Sequence, residues 1–248
     1  MAVLVTRPQP DDEATALSLR ARGFEVLLAP MLRFEPVAFR DDAELDYGAV
    51  IVTSANALRG VAPNLGGSRL LKLPLFAVGE HTAAAARDAG FANVIAAGGD
   101  AVALRECVLA AVKRKTLKKT SPLLYLAGAD LARDLAGELG ARGFTVVTQT
   151  TYRMVPVSSL PRETCEAFAA NRVEAVLHYS GRSARAFLEA ARSAGVEISA
   201  LSLPQCCISA GVAAVVRDAG AGQVVVAASP DENALFGALD RALRPVSR

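Results

Sequence analysis

The chain predicts an α/β fold with mainly parallel sheets and helices on both faces, arranged as two similar lobes of five strands each. Three observations carry that prediction. First, residues 4–37 align without a gap on residues 124–157, with 11 of 34 positions identical. Second, the segments after each copy also correspond: "GAVIVTSANAL" with "EAVLHYSGRSA", and "FAVGEHTAAAARDAGF" with "CCISAGVAAVVRDAGA". Third, short apolar runs alternate with Ala-rich stretches of helical spacing. That alternation requires crossover helices between parallel strands.

The elements follow in order. "AVLVT" reads as a first strand, a helix follows, Gly23 turns the chain, and "EVLLAP" is a second strand. "GAVIVT", "LFAV" and "NVIAA" then give three more, completing an order of two strands (A) followed by three (B). The second half repeats it as A′ ("LLYLA", "TVVTQT") and B′ ("EAVLHY", "QCCIS", "QVVVAA"), for ten strands. Each A unit ends in a Pro-bearing extended tail, "MLRFEPVAF" or "TYRMVPVSS", too long for a tight loop. If the chain crosses at both tails, lobe I comprises residues 1–35 plus 158–248 and lobe II residues 36–157, with crossings near 33–40 and 153–160. The pattern alone equally allows two consecutive domains split near "KRKTLKKTSP".

Composition narrows the function. The chain has 248 residues, 52% hydrophobic, with no Trp and 5% aromatics, so its cores are built from Ala, Val and Leu. Basic and acidic residues number 27 and 25, a net +2 that gives no general attraction for nucleic acid. No apolar run approaches the about 20 residues needed to cross a bilayer, and "MAVLVTRPQPDDE" reads as a first strand rather than a signal peptide. The four cysteines form no C-x-x-C pair, which points to reduced thiols in a cytoplasmic protein. Only His81 and His178 are present, His178 inside an apolar strand, so neither a metal nor any other cofactor is expected. The glycine motifs of dinucleotide and P-loop sites are absent, as is G-x-S-x-G. The run "KRKTLKK" lacks interleaved aromatics and reads as a solvated helix end.

Ligands of open parallel sheets sit at the carboxyl ends of the strands. Those ends here carry Arg7, Thr53-Ser54, Gly79 with Thr82, Gly128, and Ser180-Gly181-Arg182. Hydroxyls, glycines and helix-opening amides can hold carboxylates or phosphates, although Ser and Thr at such positions also cap helices without any ligand. Arg153 falls in the second tail. Next to it, Tyr152 replaces the Leu32 of the first copy. A phenol introduced where the repeat has an aliphatic residue makes Tyr152 the leading candidate for a functional side chain, with packing of a hinge as the competing account.

Taken together, "VLVTRP", "VIVTSANAL", "FAVGEHTAAAARDAGF", "TTYRMVP" and "AASPDENALFGAL" resemble the uroporphyrinogen-III synthase family over almost the whole chain. The resemblance implies two Rossmann- or flavodoxin-like lobes with swapped connectivity, a two-stranded linker and a ligand cleft between them. It favours the discontinuous division above. It also implies cyclisation of hydroxymethylbilane, a linear tetrapyrrole with eight carboxylates, to uroporphyrinogen III with loss of water and inversion of the terminal ring. Ser54, Thr82, Tyr152 and Ser180 are the matching site residues, with Tyr152 as general acid and Gly79 and Gly128 as places where ligand nears backbone. Where the family usually has a Thr in its later lobe, this chain has Val212, so Ser209 or backbone amides would have to serve. The expected partner is this polyanionic substrate, bound by a cytoplasmic monomer without nucleic acid or membrane. The second reading is a non-catalytic two-lobed binding or regulatory protein for a small anion.

Overall fold

A computed structural model describes residues 2–40, 44–131 and 133–243. The chain divides into two compact units, residues 1–34 with 155–248 (unit 1) and residues 35–154 (unit 2).

Unit 1 holds a five-stranded sheet. Its strands are β1 (Ala2–Val5), β2 (Glu25–Leu28), β9 (Val173–His178), β10 (Gln205–Cys207) and β11 (Val224–Val226), in the spatial order β11-β10-β9-β1-β2. All its pairs are parallel. Helix α1 (Asp11–Ala21) crosses between β1 and β2, while α6 (Arg162–Ala169), α7 (Gly181–Ser193), α8 (Glu197–Ser202), α9 (Ala210–Asp218) and α10 (Glu232–Leu243) accompany the rest. Successive strand side chains point to opposite faces. Ala2 and Leu4 therefore pack with Phe168, Phe187 and Val216 on one side, and Val3 and Val5 with Leu19, Phe236 and Leu239 on the other. With both faces covered, every β1 residue is buried, which is why the strand reads as an unbroken apolar run. Adjacent Cys207 and Cys206 likewise enter opposite cores.

Unit 2 repeats the plan with β4 (Ala49–Val52), β5 (Pro74–Ala77), β6 (Asn93–Ala96), β7 (Leu123–Gly128) and β8 (Val146–Pro156). Helices α2 (Ala55–Val61) and α3 (Glu80–Asp88) pack on the Val50 and Val52 side, and α4 (Ala101–Lys113) and α5 (Leu135–Gly140) on the Ile51 side. Lys119, from the basic run after α4, lies 5.9 Å over the Phe144 ring. The spatial order is β3-β8-β7-β4-β5-β6, with β3 (Leu32–Pro36) at the edge.

The expectation of five strands per sheet is therefore corrected to five and six, with eleven strands among the described residues rather than ten. Proline chemistry explains the difference. The first tail is cut off from β2 at Pro30, which has no N–H to donate, and forms β3 by itself. The aligned position in the second copy is Thr150, so β8 continues unbroken for 11 residues. The two tails also pair in a repeat-related way: Val37 N donates to Thr151 O at 2.9 Å, and Val157 N to Met31 O at 3.0 Å. Thr151 aligns with Met31 and Val157 with Val37, so these are two copies of the same contact.

Candidate functional site

In both sheets one pair of neighbouring strands sends its crossover helices to opposite faces. Such switch points open a crevice at the strands' carboxyl ends. In unit 2 the pair is β4 and β7, and a cavity of about 350 Å³ lies there. Its lining includes Thr53, Ser54, Gly128, Tyr125, Tyr152 and Asp130, with Ala101, Leu131, Arg133 and Leu135 around them.

Local backbone irregularity aims Tyr152 at this cavity. β7 and β8 run in register up to Ala127 opposite Thr150; Gly128 is then opposite Tyr152, so Thr151 is an extra residue. This is a β-bulge, which re-aims the side chain that follows it. Thr151 turns inward and is fully buried, its hydroxyl 3.2 Å from both Ala57 O and Ala127 O. Tyr152 lies over Gly128: a Cβ placed on Gly128 would come within 2.7 Å of the Tyr152 Cζ and 2.8 Å of its hydroxyl oxygen. The bare α-carbon of Gly128 thus makes room for the phenol ring.

A second phenol forms the floor. Tyr125 of β7 is buried, and its hydroxyl lies 3.0 Å from Thr53 Oγ1. Burial raises the Tyr125 pKa, the Thr53 hydrogen bond lowers it, and nearby Tyr152 adds a smaller rise. The phenol is therefore neutral near pH 7 and available as a hydrogen-bond donor. On the rim, Glu138 accepts from Arg133 and, at 2.8 Å, from Arg105. The Arg133 bond above all holds its carboxyl below the usual range.

The remaining expected residues distribute as follows. Ser54 caps α2, accepting from Asn56 N at 3.2 Å, while lining the cavity. Gly79 is extended and caps α3, whose buried Thr82 lies one turn further on. Arg153 points away from Tyr152's side of the strand into an ion pair with Glu35, at 2.7 Å. In unit 1, Ser180 caps α7, accepting from Ser183 N at 3.1 Å, with Gly181 and Arg182 following in its first turn. Arg7 lies at the end of β1 in a network with Asp11 and Glu232. The structure therefore brings Thr53, Ser54, Gly128 and Tyr152 together, with Gly79 and Thr82 on the neighbouring helix start. His178 is fully buried, with Nε2 2.8 Å from Gln205 Oε1. Among the described residues no group of three or more His, Cys, Asp and Glu is placed to hold a metal, and no helix is long and apolar enough to cross a membrane.

Sequence reasoning missed Tyr125 and the rim residues Asp130 and Arg133. The repeat held a signal for Tyr125, since its counterpart is Val5, the same aliphatic-to-phenol change that singled out Tyr152.

Two repeat-related flavodoxin-like units, with phenols and hydroxyls at a strand-end crevice, define a doubly wound α/β protein of the two-unit, sequence-exchanged kind. Residues 13–237 match the family model described as uroporphyrinogen-III synthase HemD. The chain belongs to that family, and with it to the lyases of tetrapyrrole biosynthesis. Its fold is shared by the uroporphyrinogen-III synthetase of Helicobacter pylori, at 17% identity and a TM-score of 0.67, covering 98% of this chain and 99% of that one. A mutant uroporphyrinogen III synthase of the extremely thermophilic bacterium Thermus thermophilus is also similar, at 18% identity and a TM-score of 0.57, with the same coverage. No curated protein sequence matches significantly.

Proposed function

We propose that the chain cyclises hydroxymethylbilane to uroporphyrinogen III, with Tyr152 as the proton donor to the departing hydroxyl. The observation that carries this reading is the bulge at Thr151, which sets the Tyr152 phenol over Gly128 in the β4/β7 crevice. In the reaction the terminal carbon–oxygen bond breaks, and the hydroxyl leaves as water with a proton from Tyr152. The electron-poor methylene is then attacked by the substituted carbon of the last ring, giving a spiro centre. The bond from that carbon to its original bridging methylene then breaks, and the freed methylene bonds instead to the ring's unsubstituted α-carbon, which inverts the ring; the proton that carbon loses on rearomatisation restores the phenol.

The bilane also closes spontaneously, without inversion, to the symmetric isomer. Catalysis therefore rests on holding one folded conformer, a matter of orientation and preorganised dipoles. Thr53, Ser54, Gly79, Thr82 and Gly128 in unit 2, and Arg7, Ser180, Gly181 and Arg182 in unit 1, supply hydroxyls, amides and charge for the substrate's carboxylates, with Arg153 at the tail. Capping does not remove Ser54 or Ser180 from that role, because a cap oxygen retains a proton to donate. The substrate is thus a polyanionic tetrapyrrole, taken up by a monomer. Burial pushes the Cys206 and Cys207 thiols up to about 12, so they stay protonated near pH 7 and take no part in the reaction; the setting proposed for it is the cytoplasm.

The test is direct. Freshly generated hydroxymethylbilane is incubated with and without the protein, the products are oxidised, and the I and III porphyrins are separated. Predominant isomer III is expected; isomer I alone, from folded protein, would overturn the proposal.

A further inference from the structure

The two switch points are repeat-related but unequal. In unit 2, Thr53, Ala101, Leu131 and Leu135 line an open cavity. Their aligned counterparts in unit 1 are Tyr179, Glu232, Asp11 and Thr15, and Ala127 of β7 corresponds to Arg7. These five polar residues form one hydrogen-bonded network at the ends of β9 and β1. One oxygen, Glu232 Oε1, accepts from the Thr15 hydroxyl at 2.6 Å, from Arg7 Nη1 at 3.0 Å and from the Tyr179 hydroxyl at 3.0 Å. Arg7 Nη2 reaches Asp11 at 3.1 Å, and the guanidinium stacks 4.8 Å above the Tyr179 ring. Burial first of all keeps the Tyr179 phenol protonated, hence a donor. A guanidinium and two hydroxyls converging on one carboxylate oxygen, at the end of a parallel sheet where ligands bind, form a built carboxylate site. The chain itself supplies the carboxylate.

We propose that the β9/β1 switch point is a carboxylate subsite whose donors, Arg7, Thr15 and Tyr179, are held by Glu232 in the free protein, and that a carboxylate arm of the ligand takes Glu232's place. The exchange step rests on the reading of the substrate as a polycarboxylate; the subsite itself does not. Charge balance favours the exchange, because one carboxylate replaces another and the charge beside Arg7 and Asp11 is unchanged. Access favours it too. The Glu232 side chain is 33% exposed and that of Arg7 27%, so Glu232 can swing into water without backbone movement. Glu232 opens α10 and so remains near a helix N-terminus after it leaves, where negative charge is stabilised. A tethered carboxylate competes at a high effective concentration. A free monocarboxylate therefore cannot displace Glu232, whereas a polycarboxylate anchored elsewhere can.

The subsite is tested on Glu232→Ala with sodium propionate as the probe. The variant should melt below the parent protein, and propionate should raise its melting temperature saturably. The parent and the Arg7→Ala/Glu232→Ala double variant should not respond, nor should the single variant respond to propionamide or to chloride at equal ionic strength. No response in Glu232→Ala, or the same response in all three proteins, overturns the subsite. The exchange is tested on Glu232→Gln, which keeps the shape but not the charge. Its KM for hydroxymethylbilane should fall several-fold with little change in kcat, and an unchanged or raised KM overturns the exchange. Should Glu232→Ala not fold, Glu232→Gln carries the test through fluorescence titration with uroporphyrin, an octacarboxylate. Tighter binding than the parent's is expected, and equal or weaker binding overturns the proposal. A parent protein that makes no isomer III would sink the proposed function while leaving the propionate result to stand or fall separately.

Discussion

Replacing Gly128 by alanine isolates the placement of Tyr152. Gly128 lies outside the left-handed region of backbone space, so alanine meets no conformational barrier there. The added methyl, however, would sit 2.7 Å from Tyr152 Cζ, 2.8 Å from its hydroxyl oxygen and 3.0 Å from Cε1. Carbon atoms pack comfortably at about 3.5–4.0 Å, so the ring must retreat by about 1 Å. The clash falls on the far end of a half-buried side chain and not on backbone, so the fold should survive. A displacement of about 1 Å at a reacting group can cost about 10²-fold in rate. Enzymatic formation of isomer III should therefore drop by about that factor, with isomer I rising as spontaneous closure takes over. A Gly128→Ala/Tyr152→Phe double variant should be no worse than Tyr152→Phe, because both changes disable one group. Parental rates and isomer ratio in folded Gly128→Ala would refute the assignment of Tyr152 and its seat together.

Three further expectations follow from the same contacts. Tyr152→Phe should lose part of the activity, at or below the low end of the about 10²–10⁴-fold typical of a general acid, because orientation survives; retention within a few-fold in the isomer assay would remove the phenol from proton transfer. Gly60→Ala should destabilise, since its Cβ would lie 2.3 Å from the backbone oxygen of Thr151, the atom that accepts from Val37 N. Overpacking of this kind costs about 1–3 kcal/mol, readable as a fall of several degrees in Tm. His178 gives a pH dependence: burial lowers its pKa from 6.5 to about 4, against a smaller opposing effect of Gln205. The unfolded chain then binds the extra proton between those values, so stability is fully present above about pH 6.5 and declines by about 3 kcal/mol as pH falls to 4. Urea midpoints from pH 7.5 to 4.5 should follow that slope, flattened in His178→Gln, and identical slopes would refute it.

The parallel α/β architecture was legible because unbroken apolar runs such as "AVIV" and "LLYLA" mark strands buried on both faces. The repeat fixed how those runs pair: β1 with β2 and β7 with β8 keep the same 120-residue offset in their registers. The sixth strand was not legible, because its existence depends on how Pro30 and Thr150, aligned in the repeat, differ in hydrogen bonding. Tyr152 was visible as a break in the repeat, but its partner Tyr125 hid within an apolar run. Of the two carboxylates on Arg7, Glu232 left no local trace either, since it lies 225 positions away. Ser54 and Ser180 show the limit of reading hydroxyls at strand ends, because the same residue suits a cap and a ligand.

The assignment of strands to units has a consequence for synthesis and folding. Each half of the repeat contributes strands to both sheets: β1 and β2 of the first half join β9–β11 of the second, while β3–β6 of the first join β7 and β8 of the second. Neither half can therefore complete a sheet alone, and a ribosome that has made only the first 120 residues has made no finished domain. The chain is the covalent form of an exchanged pair, in which each repeat lends its opening to the other's ending. Severing the backbone among residues 114–120, between α4 and β7, should not release two domains. It should leave two interlocked fragments, each holding the other's missing strands.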